Sequence, residues 1–282
     1  MQSRVKTYLN LGCGKRFHSD WINVDLATSQ GGVISHDLAK GIPFATESAD
    51  AVYHSAVFEH IRRQDAANFL REIHRVLKPG GIIRVGVPDL ERICRTYLDK
   101  LEPALTGDKK AANDYDWIML EMFDQMVRET SGGEMVNYLR RMPLPNEEFV
   151  FERIGDEGRR LVESIRSQDV PAKQPLGNSL AHRWRSTLGT LRDLLLNLVA
   201  GRNAARALAI GQFRLSGEVH HWMYDRFSLA RELLAADFRY PEIRSASESS
   251  IPDWERFHLD VQPDGTLNKP DLFFMEASKP HK

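Results

Sequence analysis

The sequence is poor in several features that define whole classes of protein. Only two cysteines, Cys13 and Cys94, occur in 282 residues, too few for a disulfide scaffold or a four-thiolate zinc site. Lysine and arginine total 38 against 39 acidic residues, so the surplus of positive charge that nucleic-acid binding requires is lacking. Disorder is excluded as well, because hydrophobic residues make up 42% of the chain.

Long apolar runs are also scarce. The opening residues MQSRVKTYLNLG contain no run of signal-peptide length, and no stretch approaches the roughly eighteen apolar residues of a membrane span. The most apolar candidate, Leu188–Ile210, is interrupted by charged and polar side chains. These absences predict a cytoplasmic globular protein built as one large domain or two small ones.

Short strands and helices alternate in the first ninety residues. The β-rich runs are Val5–Leu11, Trp21–Leu26, Val33–His36, Ala51–Ala56 and Gly81–Val87. Before the last of these, Gln64–Leu77 has helical periodicity and is followed by a lysine, a proline and two glycines that end a helix. The alternation predicts a parallel sheet covered by helices, which binds ligands beyond the carboxyl ends of its strands.

Each of those strand ends carries a glycine turn or a polar residue. Gly12 and Gly14 allow the backbone to approach a ligand closely. Asp25 closes the second strand, where a carboxylate can accept both hydrogen bonds of a ribose diol. The later strands are followed by Asp37, by Glu59 with His60, and by Asp89. In register, these residues predict a nucleotide-type ligand site along one edge of the sheet.

A dinucleotide-binding oxidoreductase is one interpretation of the glycine turn. Its fingerprint has a third glycine where Phe17 stands and an acidic residue about twenty positions further on. Because Asp25 comes sooner than that, the spacing argues against this interpretation.

Five stretches resemble the class I S-adenosylmethionine-dependent methyltransferases, in particular the compact type 11-like branch. They are LNLGCGK (9–15), WINVDL (21–26), HDL (36–38), IPFATESADAVYHSAVFEHI (42–61) and FLREIHRVLKPGGIIRVGVPDL (69–90). The resemblance implies an α/β, Rossmann-like sheet of seven strands, S-adenosylmethionine as cofactor and methyl transfer as the reaction.

The resemblance also implies roles for individual residues. The glycine turn would pass the methionine part of the cofactor, Asp25 would hold the ribose hydroxyls, and Asp37 would meet the adenine. Asn10 stands where many relatives have an acid, and Arg16 replaces a third glycine. The expected cofactor-binding residues are Asn10, Gly12, Cys13, Gly14, Asp25, Leu26, Asp37, Leu38, Ala56, Glu59 and His60.

The remaining parts of such a sheet are expected at the far end of the chain. Ser228–Asp237 is predicted to be a helix with Ser228 as its cap, and Tyr240–Ala246 and Leu272–Ala277 to be the last two strands. We therefore expect residues 1–90 and 227–282 to form the methyltransferase domain, and 91–226 to be a helical insertion after strand five. The insertion helices are predicted at Leu90–Leu101, Asp114–Thr130, Glu134–Leu139 and Leu188–Ile210.

Charge is unevenly distributed within the expected insertion. Residues 102–157 hold 13 acids against 6 bases, whereas residues 159–214 hold 10 bases against 3 acids. Two solvated helical faces would account for this pattern. The alternative is a peripheral contact with phosphate or anionic lipid head groups through a basic surface. That surface would comprise Arg183, Arg185, Arg192, Arg202 and Arg206.

The stretch GEVHHWMYDRFSL (217–229) concentrates residues suited to catalysis. His220 and His221 are the predicted general bases for a hydroxyl acceptor, with His60 as a third candidate. A purely structural role for each histidine stays open. No metal is indicated, because His54 and His60 lack the ligand spacing of a zinc site, and metal dependence stays open. The predicted substrate-binding residues are Asp89, Trp222, Tyr224 and Asp225.

Three functions follow as hypotheses. The first is O-methylation of a sugar or glycan precursor, lipid-linked or free. It rests on a similarity of residues 217–229 and 250–277 to methyltransferase-like proteins of bacterial glycan assembly. The second is methylation of another small-molecule acceptor, such as an amine or a carbon acid. The third is a catalytically silent cofactor-binding or scaffold protein in an assembly complex. The oligomeric state is not predicted.

Overall fold

The computed structural model describes residues 6–26, 31–168 and 201–281 of the chain. Seven strands form one sheet in the order β3-β2-β1-β4-β5-β7-β6. Strands β1 to β5 are parallel, and β7 runs antiparallel to both β5 and β6. The predicted Rossmann-like sheet of seven strands is confirmed. The strands are β1 Tyr8–Leu11, β2 Ile22–Asp25, β3 Val33–Ser35, β4 Ala49–Ser55, β5 Leu77–Pro88, β6 Arg239–Arg244 and β7 Leu272–Ser278.

Helices accompany this sheet along the chain. Helix α6 refers to helical residues 201–214, which directly follow a segment outside the described residues. Short 3-10 turns lie at Leu38–Lys40, Phe58–His60 and Trp254–Phe257. The other helices are α1 Arg63–Val76, α2 Leu90–Leu105, α3 Lys109–Val127, α4 Gly133–Leu139, α5 Glu147–Gln168 and α7 Arg226–Ala235. None of the helices in the described ranges is long and apolar enough to cross a membrane.

Side chains alternate between the two faces of the sheet, as the period of a strand requires. Leu9 and Val52 point to a core that also contains residues of α1 and α7, whereas Tyr8 and Tyr53 point to a separate aromatic cluster. Helix α1 contributes a stripe at helical spacing to the first core. The buried members of that stripe are Ala66, Phe69, Leu70, Ile73 and Val76.

The second face of the sheet is covered by a loop. Residues 12–21 contain no helix, in keeping with the short connection between the first two strands. The connection from β6 to β7 supplies Trp254 and Phe257, whose rings pack edge-on against Trp21 at centroid distances of 6.0 and 5.4 Å. This loop therefore takes the place that a helix after β1 would otherwise fill.

A buried ionic network fixes the covering loop to the sheet. Arg84 of β5 is fully buried and pairs with Asp260 at 3.0 Å and Glu276 at 2.9 Å. Its guanidinium lies 4.4 Å from the ring centroid of Trp254 and 4.8 Å from that of Phe274. Since each partner carries further hydrogen bonds, the buried charges are compensated.

Helices α2 to α6 lie in the chain between β5 and α7. Helices α3, α4 and α5 share a hydrophobic cluster around the fully buried Trp117, which also contains Tyr138 and Val150. Helix α5 is absent from the sequence prediction. Gly155 interrupts its helical pattern with a φ of 64°, and a Cβ there would meet Pro270 at 2.4 Å. Residues 169–200, with Arg183, Arg185, Arg192 and most of the predicted helix Leu188–Ile210, lie outside the described residues.

Two predicted helix starts are wrong, for the same physical reason. Helix α7 begins at Arg226 because the Asp225 carboxylate accepts hydrogen bonds from the backbone N–H groups of Phe227 and Ser228. Ser228 is the reciprocal member of this capping box and not the cap. Helix α3 begins at Lys109, not at Asp114, because Asp108 caps it in the same way.

Candidate active site

The first strand ends in a glycine turn, residues 12–14, at the carboxyl edge of the sheet. The backbone N–H of Gly12 donates to the carbonyl of Val24 at 2.8 Å, which ties the turn to β2. The N–H of Gly14 donates to the Asp25 carboxylate at 2.7 Å. Gly12 and Gly14 have φ angles of 65° and 53°, in the left-handed region that glycine adopts at low cost. The predicted turn and the predicted acid are thus in direct contact.

Asn10 shapes this turn from below. Its side-chain amide is buried and donates to the carbonyl of Arg16 at 3.0 Å and to Asn23 at 3.1 Å. The amide of Asn23 in turn donates to the carbonyls of His18 and Trp21. Two neutral amides therefore hold the short β1–β2 connection, which explains how an asparagine can stand where an acid is common.

The two glycines of the turn face different surroundings. A Cβ on Gly12 would lie 2.4 Å from the Cγ2 atom of Val57, whereas a Cβ on Gly14 would meet nothing within 4 Å. Gly12 is therefore packed against the segment that follows β4. Gly14 is exposed and faces open space at the edge of the sheet.

The other residues expected on the cofactor side are spread along the same edge. Asp37 accepts a hydrogen bond from the N–H of Ala39 at 3.0 Å and thereby caps the turn that contains the half-buried Leu38. Leu26 is 58% exposed, whereas Cys13 is buried. Burial raises the pKa of the Cys13 thiol to about 11, so it is a neutral packing group at pH 7.

Strand β4 ends in a second sharp turn. Ala56 has a φ of 53°, an unusual conformation for a residue with a Cβ, and its N–H donates to the carbonyl of Gly86 at 2.9 Å. This turn leads into residues 57–60, with Val57 packed over Gly12. The segment that carries Glu59 and His60 is consequently a direct neighbour of the glycine turn.

Glu59, His60 and His220 form one group, here called the histidine–glutamate cluster. One ligand-type atom from each residue lies within 4.8 Å of the other two. The rings of His60 and His220 pack edge to face with centroids 4.6 Å apart. Among the described residues, no side chain or backbone group of another residue donates a hydrogen bond to either oxygen of the fully buried Glu59, and Nδ1 of His220 has no partner.

Backbone hydrogen bonds bring the two halves of the cluster together. The N–H groups of His221 and Trp222 both donate to the carbonyl of Glu59, at 2.7 and 3.3 Å. The N–H of His220 donates to the carbonyl of Gln125 in α3 at 3.0 Å. His60 and His220 are about 160 residues apart in the chain, so only the fold can create this site.

Burial determines the charges in the cluster. Loss of solvent raises the pKa of Glu59 to about 8 and lowers the pKa of His60 to about 4 and of His220 to about 2. The pKa of His221 is also lowered by burial. At pH 7 the imidazoles are neutral, and Glu59 is largely protonated unless a cation compensates it.

The predicted substrate residues fall into two groups. Asp89 and Asp225 both act as helix caps, since the Asp89 carboxylate accepts from the N–H of Arg92 at 3.0 Å and Asp225 starts α7. Tyr224 is fully buried and stacks on Phe58. Trp222 differs from these three, because it is 41% exposed and sits next to the cluster in the chain. Trp222 is therefore the most exposed residue of this set.

Helices α3 and α5, which lie between β5 and α7 in the chain, add a buried ion pair that the sequence does not reveal. Arg153 of α5 pairs with Glu121 of α3 at 2.5 Å, and the indole N–H of Trp117 donates to the same carboxylate. Arg153 also interacts electrostatically with Asp271 and Asp89 near the carboxyl ends of the strands. Helices α3 and α5 thus place charge close to the candidate site, and spacing along the chain could not have indicated this.

Comparison with known families identifies the region around these residues. The family model of the methyltransferase domain matches residues 9–85, from β1 into β5. The match covers 77 of the 282 residues. The matched range contains the glycine turn, Asp25 and two of the three cluster residues. No curated protein matches the chain.

Solved methyltransferase structures are similar to the chain at low identity. A methyltransferase from Methanosarcina mazei shows 13% identity and a TM-score of 0.38, covering 99% of this chain and 95% of its own. A possible histamine N-methyltransferase from Thermotoga maritima shows 11% identity and a TM-score of 0.37, with coverage of 99% and 84%. The 1,6-didemethyltoxoflavin N1-methyltransferase of Burkholderia thailandensis, solved with S-adenosylhomocysteine, shows 16% identity and a TM-score of 0.26, with coverage of 29% and 45%.

The glycine turn fits the cofactor of a methyltransferase domain. Gly14 presents backbone to open space, where a side chain would otherwise stand, and the half-exposed carboxylate of Asp25 lies beside it at the same edge. S-adenosylmethionine joins methionine to adenosine through a sulfonium sulfur, and such a ligand needs a close backbone approach together with an acceptor for its ribose hydroxyls. S-adenosylmethionine, the cofactor of this domain, supplies an electrophilic methyl group when bound.

Proposed function

We propose that the protein transfers the methyl group of S-adenosylmethionine to a hydroxyl of a sugar or glycan-type acceptor. The observation that carries this proposal is the position of the histidine–glutamate cluster, which lies one side chain away from the glycine turn through the contact of Val57 with Gly12. In this arrangement the turn holds the methyl donor and the cluster receives the acceptor, so that Glu59 and His60, expected from the resemblance to bind the cofactor, are assigned to the acceptor instead.

On the cofactor side, backbone groups and two carboxylates share the binding. The turn at 12–14 faces the methionine part, Asp25 the ribose hydroxyls, and Asp37 the adenine. The carboxylate of Asp25 already accepts the N–H of Gly14, so it orders the turn as well as accepting from the ligand. Binding of the ribose and ordering of the turn are therefore coupled through one side chain.

On the acceptor side, the reaction requires alignment and removal of a proton. Methyl transfer is an in-line displacement, and holding the nucleophile close to the methyl group can lower the barrier by about 7–11 kcal/mol in favourable cases. A hydroxyl also has to lose its proton, and assistance to that step typically contributes about 10²–10⁴-fold. The cluster offers the polar groups for this assistance, with His221 adjoining it.

A sugar acceptor is supported by the aromatic surface beside the cluster. The indole of Trp222 is partly exposed, and the guanidinium of Arg63 lies 5.0 Å from its ring centroid. Rings of this kind present an apolar face and a polar edge, which suits the faces and hydroxyls of a sugar. Lipid linkage of the acceptor would use the basic part of the insertion, most of which lies outside the described residues.

The direct test measures transfer of label from S-adenosyl-[methyl-³H]methionine to a panel of acceptors. The panel contains nucleotide sugars, lipid-linked glycans, small amines and carbon acids. We expect label in a sugar-containing acceptor, and loss of labelling with Asp25→Ala because the ribose contact is removed. A loss of about 2 kcal/mol in cofactor binding, or roughly thirtyfold in affinity, is the expected scale for a charge-assisted hydrogen bond.

Other outcomes of the same panel separate the remaining hypotheses. Label in an amine or a carbon acid alone would keep the methyl transfer and overturn the sugar acceptor. Binding of S-adenosylmethionine with no transfer to any acceptor would favour the silent scaffold protein. Absence of cofactor binding by the wild-type chain would overturn the proposed activity altogether.

A further inference from the structure

The histidine–glutamate cluster has an unusual feature for a group of buried polar side chains. Glu59 is fully buried, yet neither of its carboxylate oxygens accepts a hydrogen bond from another described residue. The Nδ1 atom of His220, which is only 5% exposed, also has no partner within the described part of the chain. Buried polar atoms are nearly always satisfied in proteins, so orphans at one place need an explanation.

The geometry of the orphaned atoms points to a cation between them. One atom from each of Glu59, His60 and His220 falls within 4.8 Å of the others. Ligand atoms about 2.0–2.2 Å from a common metal ion lie roughly 3–4 Å apart. Small side-chain adjustments would therefore bring all three atoms to bonding distance.

The surroundings of His60 match those of a metal-binding histidine. Its Nδ1 atom lies 3.3 Å from the carbonyl of Val219, which leaves the Nε2 atom for a ligand. Ligating histidines commonly donate their other ring N–H to a backbone carbonyl, which fixes the tautomer and the ring orientation. The carbonyl of Glu59 is fixed as well, because it accepts from the backbone of His221 and Trp222.

We propose that Glu59, His60 and His220 bind a divalent transition-metal ion such as Zn²⁺. Two imidazole nitrogens and one carboxylate form a ligand set typical of zinc and other first-row transition metals, whereas Mg²⁺ prefers oxygen ligands alone. Three protein ligands leave a coordination position for a water molecule or an acceptor hydroxyl. Spacing along the chain did not indicate this site, because it compares His60 with His54 and not with the distant His220.

The proposed metal binding is independent of methyl transfer, whereas its use rests on the proposed function. A hydroxyl bound to a divalent ion loses its proton more readily than a free hydroxyl. The ion would thus activate the acceptor at the place where the cofactor methyl group arrives. The ligand set itself can be tested without any acceptor.

The experiment uses the full chain without an affinity tag, stripped with a chelator and dialysed. Calorimetry with Zn²⁺ is expected to show one ion per chain, and Co²⁺ is expected to give d–d absorption bands from bound nitrogen ligands. Glu59→Gln and His220→Gln should each weaken Zn²⁺ binding by at least about a hundredfold, since loss of an outer-shell partner alone costs 10–100-fold. His221→Gln, the matched control on the adjacent histidine, should bind Zn²⁺ like the wild-type chain.

The variants remain informative if one of them is unstable. Glu59→Gln is isosteric and removes a buried ionisable group, so we expect it to fold, as checked by circular dichroism and by binding of S-adenosylhomocysteine. Zn²⁺ binding that is absent from the wild-type chain, or unchanged in both Glu59→Gln and His220→Gln, would overturn the metal site. Retained S-adenosylhomocysteine binding in that case would leave the methyltransferase assignment intact.

Discussion

The glycine turn and the histidine–glutamate cluster are neighbours that differ in solvent exposure and in the groups that they offer to a ligand. The turn is open to solvent at Gly14, where its backbone lies beside the carboxylate of Asp25. The cluster is buried, and the atoms that it offers to a ligand belong to side chains rather than to the backbone. Val57 connects the two regions. Its side chain packs on Gly12, and the residue lies shortly before Glu59 in the sequence.

The difference suggests a division of labour between donor and acceptor. An open turn allows a large cofactor to enter and leave. Its backbone can contact that cofactor whichever side chains surround the turn. A buried cluster is desolvated, so that its interactions with an ion or a reacting hydroxyl are stronger than they would be in water. Substitutions on the two sides should therefore affect binding of the cofactor and the chemical step separately.

The largest expected effect separates the two regions by activity. Glu59→Gln should lower methyl transfer to the acceptor found in the labelling panel by about 10²–10⁴-fold, because it removes the ionisable carboxyl group, and with it a proposed metal ligand, from the cluster. Binding of S-adenosylhomocysteine, measured by calorimetry, should be unchanged. Full turnover by the variant would show that the acceptor is activated elsewhere.

The next effect is a loss of stability on breaking the buried ion pair between helices α3 and α5. Glu121→Gln leaves the buried guanidinium of Arg153 without its carboxylate, and breaking a buried pair in this way costs about 3–5 kcal/mol. The free energy of unfolding, from urea titration, should fall by that amount while cofactor affinity is retained. The matched control is Glu147→Gln, which breaks the partly exposed pair with Arg166 and should cost less than about 1 kcal/mol. Equal losses in the two variants would contradict this account.

A third effect appears as pH dependence of stability. His54 is fully buried, its ring packs against Phe69, and burial lowers its pKa to about 3. Since the unfolded chain takes up the proton near pH 6.5, the neutral His54 supports folding above that pH. This support is lost as the pH falls from 6.5 towards 3.

His54→Phe should remove that loss. Between pH 7 and pH 4, the free energy of unfolding should fall by about 3 kcal/mol less in His54→Phe than in the wild-type chain. His281→Phe, on an exposed histidine, serves as the control and should follow the wild-type pH profile. Parallel profiles for His54→Phe and the wild-type chain would show that His54 does not resist protonation.

The smallest effect tests the contact between the two regions. Gly14→Ala should lower the free energy of unfolding by about 1–2 kcal/mol, the cost of a left-handed residue with a Cβ. Gly12→Ala should cost about 1–3 kcal/mol more, because its Cβ overlaps Val57. The double variant Gly12→Ala/Val57→Ala should recover part of the difference. Equal destabilisation by the two single alanines would exclude this close packing.

The proximity of the glycine turn and Asp25 could be predicted from sequence, because both follow strands of one short continuous segment. Gly14 and Asp25 are eleven residues apart, and parallel β1 and β2 bring them together. The seven-stranded sheet was implied by the resemblance, whereas its strand order was not predicted. The first residue of a helix was harder to predict from the sequence. Asp225 and Ser228 are both good N-cap residues, and the backbone geometry selects Asp225.

The acceptor side could be predicted only as separate residues. His60 and His220 are each candidate catalytic residues in the sequence. Their contact depends on the backbone of residues 220–222, which donates hydrogen bonds to the carbonyls of Glu59 and Gln125. The ion pair Glu121–Arg153 could not be predicted from the sequence. It joins helices α3 and α5, and α5 contains the Gly155 kink. Long-range contacts of this kind are set by packing, and local periodicity carries no information about them.

The most direct test of the central claim is calorimetric titration with S-adenosylhomocysteine of the wild-type chain, Asp25→Ala and Glu59→Gln side by side. If the turn holds the donor and the cluster serves the acceptor, the wild-type chain and Glu59→Gln will bind with the same affinity. Asp25→Ala will then bind at least about tenfold more weakly. Equal weakening in the two variants, or no binding by the wild-type chain, would contradict the division of the site into donor and acceptor sides.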